Sequence, residues 1–150
     1  MSTGTPVVTL YSDGCALGNP GPGGWAAILE YKGVEKEFTG GEPMSTNNQA
    51  EMKAVITGLR ALKRPSQVKV VSDSQYVIKG MTEWIPGWQK RGWRNAAGEP
   101  VKNKELWLEL MEAAKPHTIT WQWVKGHAGH HYNERCDQLA KAAAELHQKA

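Results

Sequence analysis

Two hydrophobic periods alternate along the chain, and the points where one gives way to the other mark out its elements. From Val7 to Asp13 the β-branched and aromatic residues favour an extended strand that ends on Asp13. The Gly- and Pro-rich run that follows, through Gly24, reads as a loop. Trp25 to Tyr31 predicts a second strand, Lys32-Gly33 a tight turn, and Val34 to Thr39 a third strand with Glu35 and Glu37 on one solvated face. Such short links imply an antiparallel meander. Gly40 to Ser45 reads as a loop.

The period then changes. Thr46-Asn47-Asn48-Gln49 fits a capping box, with Thr46 at the N-cap and Gln49 closing it. Met52, Val55, Ile56, Leu59 and Leu62 recur at helical spacing and predict a buried stripe. Glu51 stands at the margin of that stripe, where a charge is costly unless paired or bound to a metal. A side chain snorkelling out of the core margin is the competing reading. Pro65 closes the helix, Val68 to Asp73 predicts a fourth strand, and Ser74 to Ile78 begins another helix. Asp73 is therefore either an N-cap or a second carboxylate delivered by a strand. For Asp13 the alternative is an ordinary Asp-Gly turn. A helical crossover sets the fourth strand parallel to the first, and that pairing brings Asp13 and Asp73 out side by side.

Glu105 to Ala114 predicts a helix with Leu106, Leu110 and Met111 inward, Trp107 packing, and Pro116 as its stop. Thr118 to Val124 alternates as a fifth strand, and Lys125 to His131 is a Gly- and His-rich loop. Asn133 is placed to cap the last helix, with Asp137 in its first turns and Leu139, Ala140, Ala143 and Leu146 as its docking face. The predicted class is α/β: a five-stranded mixed sheet, antiparallel over its first three strands and parallel between the first, fourth and fifth, with helices on both faces.

Composition narrows this further. The 150 residues suit one domain over 1–150, and 40% hydrophobic with 22% charged residues describes a folded chain. No apolar run reaches bilayer length and no basic-then-apolar leader opens the sequence, so the expectation is a cytoplasmic protein without membrane contact. Cys15 and Cys136 match no metal or redox spacing and make no disulfide framework. A formal charge of +3 says little about nucleic acid; its distribution says more. Trp84, Trp88, Lys90, Arg91, Trp93 and Arg94 interleave aromatics with cations, and Lys102 and Lys104 follow. The segment at about 81–104 is either a core stripe with a solvated face or a surface for phosphates, sugars and bases.

The candidate chemistry rests on acids. The chain has only three aspartates, Asp13, Asp73 and Asp137, and with Glu51 they come from well-separated segments. Carboxylates without neighbouring thiols or paired histidines select hard cations, Mg²⁺ or Mn²⁺ over Zn²⁺. Four converging acids repel one another, and a cation is the natural compensation. Two such ions, about 4 Å apart, activate a water and stabilise the leaving oxygen in an in-line attack on phosphorus. His127, close to Asp137 in sequence, is a candidate proton carrier. An adventitious metal site with His130 and His131, or a solvated loop, competes with that role.

Several ordered motifs share one likeness. They are Asp13-Gly14 with Gly18-Asn19-Pro20-Gly21-Pro22-Gly23-Gly24, Thr46-Asn47-Asn48 with Glu51, Asp73-Ser74-Gln75-Tyr76, Lys90-Arg91-Gly92-Trp93, Val124-Lys125-Gly126-His127-Ala128-Gly129-His130, and Asn133-Glu134-Arg135-Cys136-Asp137. Together they span the chain and resemble ribonuclease H type 1 of the bacterial kind. The resemblance implies a ribonuclease H-like fold. It also implies an endonuclease that hydrolyses the RNA strand of RNA–DNA hybrids with two Mg²⁺ ions, or Mn²⁺ in their place, leaving 5′-phosphate and 3′-hydroxyl ends. Asp13, Glu51, Asp73 and Asp137 match the family's metal-binding acids and His127 its histidine for proton transfer or product release. Asn19, Asn47, Asn48 and Gln75 match contacts to the minor groove and the RNA 2′-hydroxyls, which distinguish RNA from DNA.

The same resemblance makes the segment around 81–104 a basic protrusion that grips the DNA strand, through Trp84, Trp88, Lys90, Arg91, Trp93, Arg94 and Lys102. Thr46 and Asn103 match members of a DNA phosphate pocket. The expected partner is the hybrid duplex, the protein a monomer, and no separate hybrid-binding domain is expected. The chain departs from the family pattern at Met44, where relatives often carry an arginine, at Gln49, where a bacterial pattern has arginine, and at Cys15-Ala16. Two alternatives differ in class: a related metal-dependent DNA nuclease of resolvase or integrase type, against which the basic protrusion argues, and a non-catalytic nucleic-acid-binding module, against which the complete set of acids argues.

Overall fold

The computed structural model describes residues 7–125 and 131–148. Strands β1 (Val7–Ala16), β2 (Gly21–Tyr31), β3 (Val34–Ser45), β4 (Gln67–Ser72) and β5 (Thr118–Trp123) form one sheet in the order β3-β2-β1-β4-β5. β1–β2 and β2–β3 pair antiparallel, β1–β4 and β4–β5 parallel, as the sequence predicts. The helices are α1 (Asn47–Arg60), α2 (Gln75–Lys79), α3 (Ile85–Lys90), α4 (Lys104–Ala114) and α5 (His131–Gln148). A π-helical turn, Gly80–Trp84, joins α2 to α3.

Alternation along the strands assigns the two faces of the sheet. Leu10, Ala27, Leu29, Val68 and Val70 join the α1 and α4 residues in the larger core. Ala26 and Ile28 point the other way, against Cys136 and Ala140 of α5. β2 is thus buried on both faces, and its Ala-rich sequence lets helices lie close on each side. Gly24 carries this furthest, since a Cβ there would stand 2.2 Å from the carbonyl oxygen of Ala140.

Four expectations need correcting. Leu146 is not part of the α5 docking face, since it is 76% exposed. β1 does not end at Asp13 but runs on to Ala16, and Asp13 pairs with Ala26 inside the antiparallel ladder. The Gly/Pro run is largely strand, because β2 begins at Gly21, and Gly40 to Ser45 continues β3. Small residues mark close approach there, not chain reversal. Asn133 lies buried within α5, which already begins at His131, so it is no cap.

Trp107 is the largest fully buried side chain. Its ring lies 5.1 Å from that of Tyr76 and 5.5 Å from that of Trp88, and it occupies the space a Cβ on Gly80 would need. It therefore pins the segment after β4 to α4. Trp107→Ala should destabilise the protein by about 3–5 kcal/mol, the scale of emptying a large aromatic site. Urea denaturation checks this; a loss below about 1 kcal/mol would show that the aromatic cluster does not hold the segment.

Candidate active site

The parallel ladder between β1 and β4 last pairs Tyr11 with Val71. Two steps further in the same register stand Asp13 and Asp73, on the same face. β1 remains tied to β2 there, while β4 has ended at Ser72, so the chains part at the carboxyl ends of the parallel strands. Open α/β sheets place their ligand crevices at such ends.

Asp73 lies past its strand yet is held. Val124 N donates to Ser72 O at 3.0 Å, and the Trp123 indole Nε1 donates to Asp73 O at 3.1 Å. Ser74, not Asp73, is the N-cap of α2: its hydroxyl accepts from Val77 N at 3.2 Å. That leaves the Asp73 carboxylate outside the cap.

Glu51 arrives from α1. Thr46 caps the helix as predicted, accepting from Gln49 N at 3.1 Å, and Glu51 follows in the next turn. The helix reaches β1 because position 14 is glycine: a Cβ on Gly14 would sit 2.3 Å from the Ala50 carbonyl carbon and 2.6 Å from Glu51 N. Asp13-Gly14 is thus a carboxylate followed by a gap for a helix backbone, not a turn.

Carboxylate oxygens of Asp13, Glu51 and Asp73 all lie within 4.8 Å of one another. Burial, then the charges of Asp73 and Asp137, push the Asp13 carboxyl up from its ordinary 3.8 to about 8. Glu51 is held well above its usual range by burial first, then by Asp13 and Asp73. Its Oε1 is buried with no hydrogen-bond partner among the described residues. Asp137 approaches from α5 closely enough for its charge to raise the Asp13 carboxyl, but it stands outside the set of three and pairs with Lys141 at 3.2 Å. His127 lies outside the described residues.

Such a site fits hard divalent cations. It offers oxygen donors from three acids, one oxygen buried and unpartnered, and a mutual repulsion that a cation would remove.

Beside the acids, the β1–β2 turn and α1 are clipped together. Asn47 N donates to Asn19 Oδ1 at 2.9 Å, and Ala16 N donates to Asn47 Oδ1 at 2.8 Å. Both amides use a carbonyl oxygen internally and keep NH₂ groups for a ligand. A groove of about 620 Å³ runs on from there, lined by Asn19, Thr46, Asn48, Lys102 and Asn103. Gln75 is exposed at the start of α2.

Trp84, Trp88 and Trp93 are half-buried and form a ring series, 5.8 Å and then 6.0 Å between centroids, over Trp107. Trp88 and Trp93 pack against the main core, as the core-stripe reading expects, and all three rings stay partly exposed. Lys90, Arg91, Arg94 and Lys102 are exposed around them. Arg91 Nε donates to Arg94 O at 3.0 Å and Arg94 Nη1 to Gly98 O at 2.9 Å, bracing the turn that carries the charges.

The sequence assigns no role to Trp123 or Tyr76, and it marks Gln49 only as the close of a capping box and a departure from a bacterial pattern. A strand's alternation carries no sign that an indole N–H will hold a neighbouring carbonyl. The Gly next to Asp13 was a usable signal, taken for a turn.

The RNase H family model matches residues 5–145. The chain is 59% identical over 138 residues to a protein of Cupriavidus necator named Ribonuclease H, covering 92% of this chain and 95% of that one. It is 58% identical over 140 residues to Ribonuclease H of Pseudomonas fluorescens, covering 93% and 92%. Among solved structures it is similar to LC9-RNase H1, described as a type 1 RNase H with the type 2 active-site motif. That likeness has a TM-score of 0.87 at 35% identity, over 98% of this chain and 76% of that one.

With metal chelated, the raised pKa of Asp13 sets the pH dependence of stability. The folded chain keeps a proton that the unfolded chain loses near pH 3.8, so stability is greatest at acid pH and falls as pH rises toward about 8. Asp13→Asn should flatten that fall and raise the neutral-pH Tm by roughly 2–6 °C. Thermal melts of both proteins in EDTA check it, and a wild-type Tm that climbs with pH would contradict it.

Proposed function

The chain belongs to the RNase H family, and from that premise we propose that it hydrolyses the RNA strand of RNA–DNA hybrids with Asp13, Glu51, Asp73 and Asp137 as its metal-binding acids. The observation that carries this reading is the approach of Asp13, Glu51 and Asp73 carboxylates to within 4.8 Å at the carboxyl ends of parallel strands. Asp137 joins the set because its charge raises the Asp13 carboxyl. The oxygen-only donor set suits Mg²⁺, with Mn²⁺ as a substitute.

When bound, a pair of such ions supplies activation of the attacking water and stabilisation of the leaving oxygen. The protein's own residues do the rest. Water adds to phosphorus and the 3′-oxygen of the preceding nucleotide leaves, giving 5′-phosphate and 3′-hydroxyl ends. Asp13, whose carboxyl feels the charges of both Asp73 and Asp137, would serve as a ligand shared by the ions. His127 carries a proton to or from the reacting phosphate.

Asn19, Asn47, Asn48 and Gln75 face the minor groove. The NH₂ groups that Asn19 and Asn47 keep available meet acceptor edges and 2′-hydroxyl oxygens there. Thr46 and Asn103 hold a DNA phosphate. The protrusion at about 81–104 lays Trp84, Trp88 and Trp93 along the DNA sugars, with Lys90, Arg91, Arg94 and Lys102 on its phosphates.

We read the protein as a single-domain cytoplasmic monomer. No helix among the described residues is long and apolar enough to cross a membrane. Cys15 and Cys136 are free thiols, as suits a reducing compartment. Edge strand β3 exposes Glu35, Lys36 and Glu37 in succession, which discourages pairing with another chain.

Incubation with labelled hybrid, duplex DNA, duplex RNA and single strands, with and without Mg²⁺, tests the reading. Mg²⁺-dependent cleavage confined to the RNA of the hybrid is expected. Asp13→Asn should lower it by a factor of about 10³ or more, the scale of losing several kcal/mol of charge stabilisation. Near-normal turnover in that variant would overturn the assignment.

Replacing Lys90, Arg91 and Arg94 together by Ala should weaken hybrid binding and make the log K against log salt slope shallower by roughly 1–3. A slope equal to wild type would mean that the protrusion faces away from the duplex.

A further inference from the structure

Two helix starts forgo the hydrogen bonds that local structure offers them. Gln49 is placed to close the capping box by reaching back to Thr46 N. Its Nε2 instead donates to Asn103 Oδ1 at 3.0 Å. Asn103 is the N-cap of α4, a position where Asn ordinarily takes an extended conformation and accepts from the helix. Here it is left-handed, at φ 61° and ψ 28°, and its side chain makes no cap. Its Nδ2 donates to Tyr76 Oη at 3.1 Å. The two amides, 54 positions apart in sequence, thus turn from their own helices toward each other.

The resulting link joins α1, α2 and the approach to α4. Tyr76 is fixed in turn by its ring, 5.1 Å from Trp107 and 5.9 Å from Trp84. The loop leading to Asn103 closes through the Arg94–Pro100 bridge and the bond from Val101 N to Trp93 O at 3.0 Å. Asn103 is the joint between that loop and α1. With Lys102 beside it, it lines the groove together with Thr46, Asn48 and Gln49 itself. The Gln49–Asn103–Tyr76 chain therefore sets the width of the groove. A non-glycine residue in left-handed conformation persists where its surroundings over-determine it, and such residues gather at ligand clamps.

We propose that Gln49 and Tyr76 are positioning residues for hybrid binding, holding Asn103 and Lys102 at the spacing the sugar-phosphate backbone requires. Neither acts on the reacting phosphate. The inference rests on the reading that this groove binds the hybrid, and it gives Gln49 a function of its own. Where a bacterial pattern has arginine, this chain has a neutral donor that lines the groove and bonds Asn103.

Steady-state cleavage of the hybrid tests it. Gln49→Met removes the donor at nearly constant volume and should raise KM roughly two- to tenfold, the worth of one neutral hydrogen bond, with kcat changed by less than about twofold. Tyr76→Phe, which deletes only the hydroxyl, should act in the same direction, and it serves if Gln49→Met folds poorly. Gln49→Arg keeps a donor and should leave KM at or below wild type. In an Asn103→Ala background, Gln49→Met should add nothing, because its effect passes through Asn103.

An unchanged KM in both Gln49→Met and Tyr76→Phe, or an undiminished effect of Gln49→Met without Asn103, would overturn the inference while wild-type cleavage still stood. Wild-type protein that left the hybrid intact would overturn the functional reading itself, and this one with it.

Discussion

Holding the carboxylates of Asp13, Glu51 and Asp73 within 4.8 Å of one another works against their charge, and much of the surrounding architecture exists to resist that repulsion. A flexible backbone would relieve it by moving apart. β1 cannot move, since it is paired with β2 on one side through Ala16 and with β4 on the other through Tyr11. Asp73 has left its strand, but its carbonyl is caught by the Trp123 indole of β5, and Val124 N holds the Ser72 carbonyl just before it. Glu51 rides on a capped helix seated against Gly14. Each acid is thus held through its backbone, and Asp13 also through its carboxylate, whose Oδ1 accepts from Gly14 N at 3.0 Å.

The α5 side obeys the same constraint by other means. Asp137 is on a helix whose first turns are anchored across the sheet to β3. Arg135 Nη1 meets Glu35 at 2.8 Å and its Nε meets Glu37 at 2.7 Å, while Tyr132 Oη donates to Glu35 at 2.6 Å. Tyr132 also stacks on Tyr11 at 4.3 Å, two residues before Asp13. Exposed ion pairs of this kind add little stability singly, but a forked pair with a stacked ring fixes orientation. Orientation is what Asp137 needs to reach Asp13.

The order of elements, the parallel pairing of β1 with β4 and the convergence of the acids were legible because each follows from hydrophobic period and strand register. Asp13 and Asp73 come together by arithmetic once Tyr11 is opposite Val71. Strand ends were not legible. Gly21, Gly23 and Gly24 look like a loop in sequence, yet they are strand residues kept small for a helix or side chain lying against them. A pattern of residue types gives propensity, and propensity does not distinguish a glycine that bends from one that makes room. Gln49 shows the same limit. Its spacing from Thr46 satisfies a local motif, and only the fold brings Asn103 near enough to compete for its amide.

The two surfaces flanking the acids differ in chemistry, and the difference bears on how a hybrid is told from other duplexes. On the β1–β2 turn and the start of α1, Asn19 and Asn47 are neutral and bonded to the backbone through their oxygens, leaving donors at fixed positions. Fixed neutral donors read acceptors of defined geometry, such as groove edges and 2′-hydroxyls. On the protrusion, Lys90, Arg91, Arg94 and Lys102 are exposed cations around half-buried indoles. Cations read phosphate charge without regard to sugar, and indole faces offer stacking surface. The proposed hybrid would meet fixed neutral donors on one flank of the acids and cations around indoles on the other, so each of its two strands would find a different chemistry.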